Sequence, residues 1–244
     1  MKRTLPLVFF ILGSWVPPAV ADCRDVSRPG VDWSGCTKKL LMLPKQDLSK
    51  AVLTGTNLTS TNLSGAKLDG ANFDDANLTL TSLKDASLRK ASMRKTSGIR
   101  TDMSGADMSG ADLSFGEFYR VSFAGADLSG SNLSKSGMPR ADFSGANLAG
   151  ANISNADVIR SNFQNADLTN SDFTYAIVAR ASFAGSKLAG SNWTKAYLYR
   201  TQIKNTDLSG VSGLTQDQIV EACGDDTTIL PQGIEAPKWW PCGE

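Results

Sequence analysis

Histidine is absent from all 244 residues. Its absence removes the usual general base, the Ser-His pair of hydrolases and most zinc sites. No glycine-rich loop that would cradle a phosphate is found. Aspartates are frequent, but they are spread in rows and offer no enclosed pocket that would raise the pKa of one member of a pair. Catalysis, a cofactor and a bound metal are therefore not expected. An excess of one charge is also missing, with 25 basic against 24 acidic residues. That balance gives no general reason to bind nucleic acid or a membrane surface. Residues 37–222 contain no cysteine, and the four in the chain, Cys23, Cys36, Cys223 and Cys242, lie in two pairs near the ends. No apolar run approaches the roughly 20 residues that span a bilayer.

The longest such run, Leu5 to Val16, follows Lys2 and Arg3 and precedes Ala19-Val20-Ala21. A basic start, a short apolar core and small residues before Asp22 are the marks of a secretory signal peptide, residues 1–21. Export to the periplasm or the medium is the expected address. Removing Lys2 and Arg3 leaves 23 basic against 24 acidic residues. In an exported chain, four cysteines suggest two disulfides. Three connectivities are open. One clip on each terminal segment, Cys23–Cys36 and Cys223–Cys242, is favoured over a metal site.

What the chain does have is a period of five. From Leu48 to Leu208, 32 of 33 positions spaced five apart are Leu, Phe, Met, Ile, Val or Trp, and Gly98 is the exception. Two residues before each stands a small side chain, with Gln46 the misfit. A period of five fits neither the 3.6 of a helix nor the 2 of a strand. It fits a repeat array with one short segment per unit.

Ala126-Asp127-Leu128-Ser129-Gly130, Ala141-Asp142-Phe143-Ser144-Gly145 and Ala146-Asn147-Leu148-Ala149-Gly150 display the unit. It resembles the pentapeptide-repeat family, without interruption over residues 46–210. The resemblance implies an all-β solenoid, a right-handed quadrilateral β-helix with four pentads per coil and about eight coils. The large and small residues of each unit point inward and the other three outward. Some family members protect DNA gyrase by imitating DNA; they are cytoplasmic, strongly acidic and dimeric. The near-neutral charge and the leader set this chain apart from them, and nothing in it indicates a dimer.

Both ends of such an array need covers. Residues 22–45 are expected as an N-terminal cap, with the run Leu40-Leu41-Met42-Leu43 plugging the first coil. Residues 211–244 are expected as a C-terminal cap. There Thr215 is the N-cap of a short helix, Gln218 completes its capping box, and a tail carries Trp239 and Trp240.

Grouping pentads in fours gives four walls, the first centred on Leu48. The fifth residue of each pentad turns a corner. Corners after the fourth and first walls are mostly Gly, whereas the third wall ends in Arg100, Arg120, Arg140, Arg160, Arg180 and Arg200. Beside them lie Tyr119, Tyr199, Ile99, Pro139, Ile159 and Ala179; the same wall adds Ile177 and Tyr197, and the preceding corner adds Tyr175. Asp102, Glu117, Asp142 and Asp157 lie two or three residues from the first four arginines and are expected to relieve their repulsion. No acid occurs between Phe173 and Thr206, which ranks the C-terminal part of the wall highest. Lys84, Arg89, Lys90, Arg94, Lys95 and Arg100 make one coil basic, and Asp102, Asp107, Asp112 and Glu117 make the next acidic. Register pairing between these coils is expected. At Gly98, either Ile99 turns inward or a small void remains.

Three roles fit. The first is a non-catalytic binding or scaffolding module that meets a protein partner through the Arg/Tyr wall. The second is binding of an anionic envelope polysaccharide or another polyanion along the arginine column. The third is a purely structural spacer.

Overall fold

The computed structural model describes residues 21–242, so all of the expected leader but Ala21 lies outside the described residues. Each pentad supplies one bridging residue, just before its large core side chain, followed by a two-residue turn. From Asp32 to Asn192 each bridging residue pairs in parallel with the residue twenty positions on, as in Asp47 with Lys67 and Lys67 with Ser87. Four ladders of this kind run side by side, starting at Asp32, Thr37, Met42 and Asp47. One turn of the coil is thus twenty residues with four corners. The pairing differs from sheet walls of continuous strand: it consists of isolated single-residue bridges. A turn every five residues leaves no room for a longer paired segment.

Backbone hydrogen bonds explain why the unit has five residues. In the pentad of Leu53, the core amide donates to Asn72 O one lap on at 2.7 Å, and the corner amide of Gly55 donates to Asp74 O at 2.8 Å. The bridging Asn72 amide reaches back to Ala51 O at 2.9 Å, and the small Ala71 closes a turn onto Leu68 O at 3.0 Å. That leaves the amide after the core residue. An Asp or Asn at the bridging position caps it from two residues before, as Asn72 Oδ1 accepts from Asp74 N at 2.8 Å. The family's Asp/Asn position is therefore the fifth backbone satisfaction of its unit. These turn bonds hold the Asp32, Asp47 and Asp207 carboxyls below the usual carboxylate range, the hydroxyls of Ser34, Ser49 and Ser209 contributing most.

The core is a column one side chain wide per wall. Phe123, Phe143, Phe163 and Phe183 stack with ring centroids 4.9, 4.6 and 4.8 Å apart. Each fully buried Leu or Phe stabilises by about 1.5–3 kcal/mol before conformational entropy is subtracted. Where the small residue is Thr, its hydroxyl donates to a carbonyl of the preceding lap, as Thr81 Oγ1 does to Leu58 O at 2.7 Å. Every corner from Gly30 to Asn205 is left-handed, with φ between 50° and 74°. That region costs a residue other than Gly about 1–2 kcal/mol.

The coil begins earlier than the sequence suggests, because its first bridge is Asp32–Val52. Trp33 fills a core position at 1% exposure. The frame is hidden there because the next core position holds Lys38, and Cys36 and Leu41 stand where small residues belong. Burial pushes the Lys38 pKa down; its Nζ donates to Cys23 O at 2.8 Å and lies 4.0 Å from the centre of the Trp33 ring. Leu40 and Met42 plug nothing. They are 76% and 72% exposed.

Both disulfides join as favoured, Cys23–Cys36 and Cys223–Cys242, each with Cα atoms 5.5 Å apart. At the far end, helix α1 spans Gln216–Glu221 with Thr215 as N-cap and the full capping box. Gln218 Nε2 also donates to Trp193 O at 3.0 Å and Ala196 O at 2.8 Å, which satisfies carbonyls of the closing lap. Ladder pairing continues past the helix at Cys223 and Ile229.

Gly98 follows neither expected course. Ile99 stays outside at 42% exposure, and the ring of Phe118, one lap on, occupies the space. A methyl group on Gly98 would sit 2.5 Å from Phe118 Cδ1. Gly98 and Phe118 thus share one volume. Gly98→Leu alone should destabilise by about 1–3 kcal/mol through overpacking. Adding Phe118→Leu should restore most of that loss, and chemical denaturation of the four proteins in the cycle measures the coupling.

Candidate functional site

The six arginines form one file. Each donates its backbone amide to the residue preceding the next arginine: Arg100 to Tyr119 O at 2.9 Å, Arg140 to Ile159 O at 2.9 Å and Arg180 to Tyr199 O at 2.9 Å. Arg200 ends the file on Glu221 O at 2.7 Å. All six occupy left-handed corners, with φ from 51° to 60°. Among the described residues, none of their guanidinium groups makes an ion pair within 4.0 Å. The acids expected to relieve them serve the backbone instead. Asp102 caps Ser104 N at 3.0 Å, Asp142 caps Ser144 N at 3.0 Å and Asp157 caps Ile159 N at 2.9 Å. The Glu117 carboxylate lies over Gly137.

Aromatic side chains lean on this file and its neighbour. Arg120 lies 5.2 Å from the Tyr119 ring centre and Arg180 lies 6.0 Å from that of Tyr199. At the preceding corner Lys195 sits 5.1 Å from the Tyr175 ring centre and donates to its hydroxyl at 2.9 Å, which raises the lysine's pKa. Tyr197 and Tyr199 stack 6.3 Å apart and nearly parallel. Tyr175, Ile177, Tyr197 and Tyr199 are all exposed, and Ile177 bridges directly to Tyr197. Ala179 differs: it is buried.

Ile177 and Tyr197 occupy bridging positions, where the unit calls for Asp or Asn. Neither side chain can cap a turn. The amides of Ala179 and Tyr199 have no acceptor among the described residues. At these two positions the chain presents apolar surface outward; the amides of Ile99 and Tyr119 on the same wall likewise have no acceptor among the described residues. The sequence alone carried this signal, but it becomes readable only once the bridging position's backbone duty is known.

A groove of about 450 Å³ extends the wall past the last arginine, lined by Tyr199, Arg200, Val220, Glu221, Cys223, Trp239 and Cys242. Trp239, one of the two tail tryptophans, is exposed beside it, whereas Trp240 packs against the closing lap and donates Nε1–H to Ala222 O at 2.9 Å.

Some members of the other charge features are paired. Arg89 meets Asp69 and lies 3.9 Å from Asp107, and Arg94 lies 3.8 Å from Asp112, so the basic and acidic coils do interlock. The Arg89 guanidinium holds the Asp69 carboxyl below its usual range. Lys187, which lies in the stretch from Phe173 to Thr206 that contains no acid, reaches Asp167 at 3.4 Å. Among the described residues no group of His, Cys, Asp or Glu could hold a metal ion, and no helix is long and apolar enough to cross a membrane.

Family models match most of this array. The pentapeptide repeat region model matches residues 116–193, and the model of eight pentapeptide repeats matches residues 47–85, 76–114 and 179–212. No curated protein matches the chain. Among solved structures, HetL, a pentapeptide repeat protein involved in heterocyst differentiation regulation in Nostoc, is 21% identical over 80% of this chain and 91% of its own, with a TM-score of 0.37. A pentapeptide repeat protein of the Arabidopsis thaliana thylakoid lumen is 27% identical over 53% of this chain and 83% of its own, with a TM-score of 0.39. Full-length QnrB1, a plasmid-mediated fluoroquinolone resistance protein, is 14% identical over 83% and 94%, with a TM-score of 0.31.

If the missing turn cap is what Tyr197 sacrifices, Tyr197→Asn should be more stable than Tyr197→Ala by about 0.5–1 kcal/mol. Urea unfolding of the two variants checks this. Equal stabilities would mean that the uncapped amide costs nothing.

Proposed function

We propose that this chain, which belongs to the pentapeptide repeat family, is an exported rod that acts by contact and without catalysis, through its Arg/Tyr wall. The winding is that of a right-handed quadrilateral β-helix, a reading supported by the twenty-residue ladders and the four corners of each lap. Residues 1–21 serve as the leader, and the two disulfide-clipped terminal segments serve as covers.

One observation carries the reading of the wall. Unpaired guanidinium groups stand in file beside exposed Tyr and Ile, two of which displace turn-capping residues. Arginine offers a fixed fork of donors, and tyrosine offers apolar area with a polar tip. Together they suit a protein surface with carboxylates around an apolar centre. The partner seats on Arg180, Arg200, Tyr175, Ile177, Tyr197 and Tyr199, and the groove beside Trp239 lengthens the footprint. The alternative, an anionic polymer tracked by the arginine file, is supported by the six unpaired guanidinium groups.

Affinity capture from an envelope extract tests the wall. The double variant Arg180→Glu/Arg200→Glu should lose its bound partner at least tenfold, while its melting temperature stays within a few degrees. A tyrosine-centred contact should persist from about 0.1 to 0.5 M salt, whereas polymer binding should fall steeply over that range. Unchanged capture by the charge-reversed protein would leave only a spacer.

A further inference from the structure

The other end of the rod carries a feature that the wall does not explain. Lys38-Lys39-Leu40-Leu41-Met42-Leu43-Pro44-Lys45 forms part of the first lap. Leu40 turns a corner at φ 59° and is 76% exposed, and Met42 bridges to Asn62 and is 72% exposed. Both protrude where the repeat elsewhere presents mostly polar side chains. Lys39 and Lys45 flank them and are themselves exposed. The positions directly above, one lap on, are Ser60, Asn62 and Gly65, so no carboxylate lies next in these columns. Val26, 74% exposed, stands at the same end of the rod.

A core function for these side chains is ruled out by their exposure. Backbone geometry does not demand them either. A left-handed corner favours Gly or Asn over Leu. Met42 needs no turn-capping oxygen, because the residue it would cap is Pro44, which has no amide hydrogen. An apolar side chain there loses no hydrogen bond, so the position is free for another use.

We propose that this tip docks on an anionic lipid surface, with Leu40 and Met42 entering the boundary between headgroups and acyl chains and Lys39 and Lys45 meeting lipid phosphates. Two apolar side chains flanked by Lys39 and Lys45 match the chemistry of interfacial anchoring, in which apolar burial and attraction to anionic headgroups add. The same lysines would meet each other across an end-to-end contact between two copies, which disfavours a second copy as the occupant. Insertion is shallow. The amides of Thr37 and Met42 on this open edge have no acceptor among the described residues and must stay among headgroups and water. Docked in this way, the rod meets the surface through the flank of its first lap, three laps before Arg100 in the same column. The inference is independent of what that wall binds.

Cosedimentation with vesicles tests it. The protein is the chain beginning at Asp22, which contains the coil, both disulfides and the closing helix. Vesicles of phosphatidylcholine with one-third phosphatidylglycerol should retain it, and pure phosphatidylcholine should retain it at least fivefold less. Leu40→Asn/Met42→Ser should weaken retention about tenfold or more with an unchanged melting temperature, since both side chains are exposed. Lys39→Glu/Lys45→Glu should weaken it similarly, and only on the anionic vesicles. No retention of the wild type, or equal retention of all variants, would overturn the proposal. So would lipid-free self-association that the Leu40→Asn/Met42→Ser pair abolishes, because the tip would then be an interface between copies.

Discussion

Each lap of this coil can satisfy its backbone only by bonding to the laps before and after it. A segment of five residues is too short to pair along its own length, so a single bridging residue per pentad carries the ladder. That constraint sets the rest. The bridging residue must also cap its own turn, which accounts for Asp and Asn. The interior must admit one large side chain per wall, which accounts for Leu and Phe beside a small partner. Each pentad must then bend, and it does so in the left-handed region, at every corner from Gly30 to Asn205.

Corners and bridging positions therefore act as a reference against which departures have meaning. If folding alone chose, corners would be Gly or Asn and bridging residues Asp or Asn. The arginine file spends corner after corner on a residue that the backbone disfavours. Ile177 and Tyr197 leave two turns uncapped. Leu40 takes a corner at the opposite end of the same column. Such departures occur on the other walls too, at Lys50, Phe115 and Lys187 for example; what sets this flank apart is that six arginines recur in one column beside exposed Tyr and Ile. Stability given up at a contact site is a common trade.

Much of this was legible in the sequence. The period of five gave the lap, the grouping in fours gave the arginine file, and the capping box located α1 to within a residue. Other features were hidden for physical reasons. Lys38 occupies a core position by laying its stem over Trp33 and carrying its charge out to Cys23 O, so the hydrophobic frame becomes visible only three pentads late. The run Leu40 to Leu43 looks like core by composition, yet its register alternates sides, and two of its members face water. Gly98 read as a defect because its compensation, Phe118, lies twenty residues away. Proximity in sequence also misled the pairing of charges. Asp102, Asp142 and Asp157 sit near arginines in the chain, but their oxygens are already committed to turn amides.

Residues twenty apart are vertical neighbours, so that the guanidinium groups share one flank. Pulsed electron resonance between nitroxide labels tests it most directly, with cysteines placed at positions 100 and 200, 120 and 200, and 140 and 200. Stacking at about 4.8 Å per lap predicts mean separations near 24, 19 and 14 Å, falling in equal steps. Separations that do not fall in step with the number of laps, or that scatter broadly, would contradict the stacked file and with it the binding wall.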